Sequence, residues 1–489
     1  MTRIELGSFL SIENLRKAMW AFLLVSLPVT SFPFMPSFLY PETAIVRPLM
    51  LYPLAILILI DVLPSLVRGD KWPSVTLPML LFALAAVIST SLALVNPPSA
   101  LMGQTALDRA IRGIVTVAVG LATYFVCLSR MRTKKDFDRS IQWLMVGFIA
   151  AIVYGLFQYS RITLRWPYYA DLNPIHQLLS VRDMHTGRVT GMAYEPSWFA
   201  DQLSVLVLPL LFAGILTGYR FLGRSIIPHV LILGAAGLVL VGTYSRGGVV
   251  VSAVALMVGA LLQALRHRRK MWAVIRRSFR FQEGHRLVFG LAMVILAVAI
   301  LGFFIYQLSL NPYFTRLYNQ LGRIDNPTAY LLGIGAGPRL GLVSASYAIY
   351  TQSPWLGVGL GQSGFYILDH LPTWLFNKEN EVLEMLIPGA HVFPNPKAVW
   401  IRLLSETGIV GFALFASFIL LLGFSSLRLL ERDTRRAQFA GLFGIMSLIA
   451  VVLEGFSLDS FALPTWWVAF AFITATVWNA DRLDGVQDE

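Results

Sequence analysis

Cysteine is almost missing from this chain. The single thiol, Cys127, stands inside an apolar run, so no intramolecular disulfide and no cysteine-based metal site can form. Charge is scarce too: Asp, Glu, Lys and Arg make up 13% of the 489 residues, about half the share of an ordinary soluble domain. No HExxH string occurs, and no acidic pair has the spacing of a metal-binding DxD in a segment expected to face outward. The run GVGLGQSG lacks the Lys-Ser/Thr that completes a phosphate-binding loop and follows no strand, so it reads as a turn. No metal and no cofactor are expected.

What fills the chain is apolar. Hydrophobic residues make up 56% of it, with a mean hydropathy of +0.66, which marks an all-α polytopic membrane protein. Stretches of about 17 to 25 residues suffice to span a bilayer. Twelve are expected, near 18–35, 49–66, 75–95, 111–128, 141–159, 199–216, 227–243, 247–265, 287–307, 398–424, 439–456 and 464–480. The first span lacks a small-residue cleavage site after a short apolar core and is expected to be retained.

A net charge of +12 in a soluble protein would suggest nucleic acid. In a membrane protein basic residues first report orientation, because cytoplasmic loops collect Lys and Arg. With the N-terminus inside, the short inner segments hold most of the 39 Lys and Arg, notably in SRMRTKKDFDR and RHRRKMWAVIRRSFR. Both termini are therefore expected in the cytoplasm, these clusters are expected to meet lipid headgroups, and no nucleic-acid partner is expected.

Two outer segments are too long to be turns, 160–198 and 308–397. Loops of such length are functional or disordered, and the larger is too rich in Tyr, Phe, Trp and Leu for disorder. Within it, 339–352 and the amphipathic 371–387 read as helices. The expected organisation is 1–307 with nine spans and the outer loop 160–198, a helical outer loop over 308–397, and 398–489 with three spans and a tail.

The outer cations are the ones the positive-inside rule disfavours. Arg246 stands in TYSRGGVV, at the junction of two spans with no room for a loop, and Arg188 stands in another small-residue turn, GRVTG. An unpaired guanidinium at the bilayer edge costs a few kcal/mol, and its fork suits phosphate or carboxylate. Arg339, Lys397 and Arg402 also lie beside span ends or glycine-rich turns. For each, snorkelling to headgroups is the alternative to a ligand site.

In chain order, GRVTGMAYEPSWFA precedes a span, TYSRGGVV stands between two spans, PRLGLVSASYAIYTQSPWLGVGLGQSGFY lies in the large loop, and PNPKAVWIRLLSETGIVGFALF opens the next span. Together, over about residues 185–425, they resemble the O-antigen ligase and polymerase superfamily of bacterial cell envelopes. The resemblance implies a glycosyltransferase-C-like, metal-independent, inverting glycosyltransferase in the bacterial inner membrane, with its active site facing the periplasm. It implies a sugar donor linked to undecaprenyl diphosphate, diphosphate-binding roles for Arg188, Arg246 and Arg339, and a chain-length regulator and a flippase as partners. Ligases of the family carry a histidine eleven residues before the first glycine of the GxxG in the span after the large loop. Here that position is Lys397, counted back from Gly408. This departure and the EPSWFA string resemble the polymerase branch, which joins repeat units, rather than ligases, which load lipid A core.

Such a transfer needs positive charge at the departing diphosphate and a base for the acceptor hydroxyl. Glu195 is the first candidate base, seven residues from Arg188. The alternatives for Glu195 are an ion pair with a nearby arginine or a cap on the helix that starts near Pro196. Lys397 is read as a base or, more simply, a phosphate-binding cation. His391 could stand in for the missing histidine; His176 and His185 are weaker. Glu406 and Glu454 fall within spans, with pairing to Arg402 or a polar neighbour expected. The rival class is a lipid-linked oligosaccharide flippase, but no internal repeat is present and the outer cations do not line a channel through two halves.

Overall fold

The computed structural model describes residues 12–36, 45–266 apart from 166 and 168, 327–375 and 393–479, with isolated positions between 306 and 322 and Val382. The described residues are helical, with β structure limited to isolated bridges. In chain order the main helices are α1 (Ile12–Val25), α2 (Leu51–Val67), α3 (Leu77–Ala93), α4 (Ala106–Arg130), α5 (Lys134–Leu164), α6 (Tyr169–Gln177), α7 (Pro196–Thr217), α8 (Ile227–Gly242) and α9 (Arg246–Arg266). After them come α10 (Pro327–Gly333), α11 (Gly337–Gln352), α12 (Val399–Glu431), α13 (Arg435–Glu454) and α14 (Pro464–Trp478).

Each expected span coincides with helical structure, apart from 287–307, which, Tyr306 excepted, lies outside the described residues. Among the described residues, seven helices are long and apolar enough to cross a membrane; α2 and α8 are shorter apolar helices. The first expected span is shifted. Helix α1 covers Ile12–Val25 and gives way to turns at 26–28, because Pro28 disfavours helical backbone at Leu27. In the large loop, 339–352 is helical as expected, inside α11. The expected helix at 371–387 begins with a short 3-10 turn, Thr373–Leu375; the rest of it, Val382 apart, lies outside the described residues.

Helix α13 is the axis of the bundle, packing against α7, α9, α12 and α14. It is buried nearly all round, as are α7 and α14, which is how a helix apolar on every side is accommodated. Between helices immersed in lipid the hydrophobic effect gives little, so small residues that allow close approach do the work. A Cβ at Gly441 would sit 2.6 Å from the Ser426 carbonyl oxygen, and one at Gly444 2.4 Å from Ser426 Oγ. Ser204 on α7 and Ser252 on α9 are hydrogen-bonded at 2.7 Å. The outer helices instead expose leucine, valine and phenylalanine, as along Leu80, Leu84 and Ile88 of α3 and Leu420 and Phe424 of α12. Apolar surface that continuous fits a lipid environment.

The two ends of the bundle differ. At one end Arg436 binds the Lys134 carbonyl and Asp138, both at 2.9 Å, Arg266 binds the Arg432 carbonyl at 2.9 Å, and Asn479 binds the Met131 carbonyl at 3.0 Å. At the other end lie the α3–α4, α8–α9 and α13–α14 connections and the residues of the large loop. Residues 354–362 form glycine-rich turns seated on a break in α12, where Gly408 has φ 64 and ψ −170. Val358 and Gly359 N–H donate to the Ser405 and Glu406 carbonyls at 2.9 Å, and Ile409 N–H to the Pro354 carbonyl at 2.8 Å. The string GVGLGQSG is thus a turn that supplies the hydrogen bonds an interrupted helix would lose.

A Cβ at Gly408 would lie 2.2 Å from the Trp355 carbonyl oxygen, and its backbone region is open essentially to glycine alone. Gly408→Ala is expected to cost at least about 2 kcal/mol, read as a lower thermal midpoint in detergent. An unchanged midpoint would contradict the seating of the 354–362 turns.

Candidate functional site

The end of the bundle away from the Arg436 cluster is built around tight turns. Between α8 and α9 only Thr243, Tyr244 and Ser245 intervene. Tyr244 adopts φ 51, while Ser245 Oγ accepts from Gly248 N–H at 3.3 Å and so caps α9. Gly248 is required for close helix approach, since its Cβ would lie 2.6 Å from Ala200 Cβ on α7. Arg246 thereby becomes the first residue of α9, and its guanidinium donates to the Ile334 carbonyl at 2.9 Å.

The GRVTG turn docks on the same place. Val189 N–H donates to the Gly242 carbonyl and Arg188 Nε to the Thr243 carbonyl, each at 2.8 Å. Gln158 of α5, fully buried, accepts from Thr190 and Gly191 N–H at 3.0 and 2.9 Å and donates to the Gly191 carbonyl at 3.2 Å. One side-chain amide thus satisfies a turn that has no helix of its own.

Glu195 occupies the N-cap position of α7, but its side chain makes no capping bond. Its Oε1 lies 3.5 Å from Arg182, and its Oε2 accepts from Ser197 Oγ at 3.2 Å. The ion-pair alternative is what the structure shows, with Arg182 as the partner. Arg182, Arg188 and Glu195 all act electrostatically on His185, whose imidazole is held below its ordinary range by burial first and the two guanidinium groups second. His176 is fully buried and stacked at 6.2 Å on Tyr154, and burial pushes its pKa down to about 4. It is placed to pack, not to exchange protons with a ligand.

Arg339, in the first turn of α11, donates to the Ser457 carbonyl at 2.6 Å. Arg402 binds Glu406 one turn on at 3.0 Å, the pairing expected of these two, and also donates to the Asp459 carbonyl. Glu406 is closed on its other side by Ser363 Oγ at 2.8 Å. Lys397 has φ 57, and its N–H donates to Asn395 Oδ1 at 3.2 Å, two residues before α12 starts. His391 lies outside the described residues.

The turn Gly455–Asp459, between α13 and α14, joins these pieces. Its Gly455 and Leu458 carbonyls both accept from Val399 N–H at 2.8 Å, which fixes the start of α12. Its Ser457 and Asp459 carbonyls hold Arg339 and Arg402. A Cβ built on Gly247 would be 3.5 Å from Ser457 Oγ, so the residue after Arg246 borders the same turn. The structure thus gathers Arg246, Arg339 and Arg402 around this turn and sets Arg188 on the adjoining α8–α9 turn. Glu195 and His185 stand on the Arg188 side, and Lys397 precedes the α12 start. A carbonyl orients a guanidinium without cancelling its charge, as for Arg339, which suits a multiply charged anion; Arg402 differs, because Glu406 balances its charge.

Two carboxylates lie beneath. Asp201 on α7 is 1% exposed and Glu454, the last residue of α13, 5% exposed. Asp201 Oδ1 accepts from Trp466 Nε1 at 3.0 Å, and Glu454 Oε2 from Ser457 Oγ at 3.1 Å. Asp201 Oδ2 and Glu454 Oε1 have no hydrogen-bond partner among the described residues. Sequence reading passed over Asp201, although an acid inside an apolar span is itself a signal; Gln158 was overlooked in the same way. Among the described residues no group of three or more His, Cys, Asp and Glu is arranged to hold a metal.

Removing Arg402 alone would strand a buried carboxylate. Arg402→Leu is expected to cost about 3 to 5 kcal/mol, and Glu406→Leu in the same chain to restore most of the loss. Equal destabilisation by the single and double variants in thermal unfolding would contradict the pairing. For His176 the folded pKa lies below the unfolded one, so its contribution is whole above about 6.5 and is lost as pH falls toward about 4. His176→Phe is expected to flatten the acid side of the stability profile, and an unaltered profile would count against burial of the neutral ring.

Residues 229–416 match the family model described as O-Antigen ligase. The matched stretch holds Arg246, Arg339, Lys397 and Arg402, while Arg188, Glu195, Asp201 and Glu454 lie outside it. No curated protein matches the chain.

Proposed function

We propose, from the place of residues 229–416 in the O-antigen ligase and polymerase superfamily, that this chain is a polysaccharide polymerase. It joins oligosaccharide repeat units carried on undecaprenyl diphosphate, with inversion at the anomeric carbon and no metal. The observation that carries this reading is the convergence of Arg246, Arg339 and Arg402 on neighbouring connecting turns, with Arg188 beside them. The opposite end carries the basic clusters around Arg130, Lys134, Arg266 and Arg436. By the positive-inside rule that end faces the cytoplasm, which turns the arginine site toward the periplasmic face of a bacterial inner membrane. A flippase and a chain-length regulator would then act before and beside it.

In the reaction an acceptor hydroxyl attacks the anomeric carbon as the bond from that carbon to the diphosphate oxygen breaks. The departing electron pair stays on undecaprenyl diphosphate, and its charge grows where the guanidinium forks are already fixed. Donors that need no reorganisation are worth most in such a step. Lys397 adds a cation at the α12 start, where ligases of the family carry a histidine. That substitution favours polymerase over ligase.

The test is an in vitro transfer with the protein in nanodiscs, undecaprenyl-diphosphate repeat units from the producing strain as substrate, and EDTA present. Wild type is expected to yield a ladder of longer glycans, and Arg246→Ala to slow it by about a hundredfold or more. A single new band that appears only when lipid A core is added would move the reading to a ligase. Transbilayer movement of the substrate with no new glycosidic bond would replace it by a flippase.

A further inference from the structure

A carboxylate loses several kcal/mol of solvation on burial unless a partner restores it. The chain places two, Asp201 and Glu454, almost completely inside and leaves one oxygen of each without a hydrogen bond among the described residues. The contrast with Glu406 is direct: that buried acid has an arginine at 3.0 Å and a serine hydroxyl at 2.8 Å, so it is satisfied. The negative charge of Asp201 bears on Glu454, and the positive charge of Arg339 opposes it. Trp466 Nε1 holds Asp201 in place at 3.0 Å. Buried like charges that bear on one another disfavour the ionised form, so a proton that reaches the Glu454 carboxylate is held there more readily.

A path leads from that pair to the arginine site. Ser457 Oγ donates to Glu454 Oε2 at 3.1 Å and to the Glu454 carbonyl at 3.3 Å. The same residue's carbonyl holds Arg339. On its other side, Ser457 Oγ is, among the described residues, the one atom within 4 Å of the position a Cβ would take on Gly247. The hydroxyl therefore touches the buried acid on one side and faces Gly247, the residue after Arg246, on the other. Glu195, the acid nominated by its closeness to Arg188 in the sequence, is 39% exposed and tied to Arg182 and Ser197, which weakens it as a base.

We propose that the paired carboxylates of Glu454 and Asp201 receive the proton of the acceptor hydroxyl, with Ser457 as the relay. The proposal rests on the glycosyl-transfer reading above. As the acceptor oxygen bonds to the anomeric carbon, its proton passes to Ser457 Oγ, and the proton already on Oγ moves to Glu454 Oε2. The bond to the diphosphate breaks with its electron pair leaving on undecaprenyl diphosphate. The proton on the pair returns to solvent after product leaves. Ser457 is the group that meets the acceptor; Glu454 and Asp201 act through it as positioning and proton-holding residues. The arginines stabilise the leaving group and take no part in the proton path.

The test follows two quantities on the protein in nanodiscs: binding of undecaprenyl diphosphate itself, and the initial rate of its release from the lipid-linked repeat unit across pH. Glu454→Gln is expected to bind undecaprenyl diphosphate as wild type does and to lose about a hundredfold or more in kcat, with the acidic limb of the pH profile flattened. Glu454→Asp should recover part of the rate, and Asp201→Asn should shift the acidic limb. Ser457→Ala leaves both carboxylates in place, so folding is not at issue, and is expected to lower kcat about tenfold or more with KM little changed. Wild-type kcat and pH profile in Ser457→Ala or Glu454→Gln would overturn the relay. Loss of binding in parallel with rate would overturn it too, since the pair would then be structural. Failure of the transfer reading is distinct: wild type itself would release no undecaprenyl diphosphate.

Discussion

Where two transmembrane helices meet at a turn, the last carbonyls of one and the first N–H groups of the next lose their helical partners. In this molecule the turn Gly455–Asp459 supplies carbonyls outward: two to Val399 N–H, which fixes the start of α12, and one each to Arg339 and Arg402. The same rule repeats at Thr243, whose carbonyl holds Arg188, and at Ile334, whose carbonyl holds Arg246. Fixing the helix ends and aiming the guanidinium groups are therefore one structural act. A change that moves one of these turns would be felt at the arginine it holds.

This dependence explains the small residues around the site. Gly248 lets α9 meet α7 at Ala200, Gly455 admits the Trp400 ring, whose approach a Cβ at 2.6 Å would prevent, and Gly408 lets the 354–362 turns press against α12. The close contacts serve the placement of the turns, because helix packing in lipid has little other driving force. The glycines of GVGLGQSG belong to the same scheme: Gly357, Gly359 and Gly361 all have positive φ, so the stretch turns sharply enough for its N–H groups to reach carbonyls exposed at the helix break.

Periodicity and hydropathy made most of the bundle legible, since a long apolar run has few alternatives to a helix. Boundaries were less so. Pro28 ended α1 early, a local effect that a hydropathy window averages away. At the site, Arg246 and Arg188 could be read because a guanidinium in a turn between spans is conspicuous, and the Arg402 to Glu406 pair because four residues separate them on one helix. The Gly455–Asp459 turn could not be read that way. Its role lies in carbonyls, which every residue carries, and its partners are distant in the chain. Gln158 and Asp201 looked like minor interruptions of apolar spans, and only the assembled bundle shows what each faces.

The two buried acids near the site fare differently, and the difference bears on what the region is for. Glu406 is neutralised on its own helix by Arg402 and closed by Ser363; it holds the interrupted start of α12 together. Glu454 sits at the end of α13, where the macrodipole is negative, with the charge of Asp201 bearing on it, the Ser457 hydroxyl donating to its Oε2, and Arg339, held by the Ser457 carbonyl, opposing that charge. A fold seeking stability alone would do better with an amide or a methyl group at that place. Keeping a carboxylate there costs stability, and the cost is sensible if the group must change its protonation during each cycle. The helix end that disfavours negative charge also makes the proton easier to hold, while Arg339 keeps the anion accessible. In the proposed transfer, one position would thus join the leaving-group charge and the acceptor proton through a single turn.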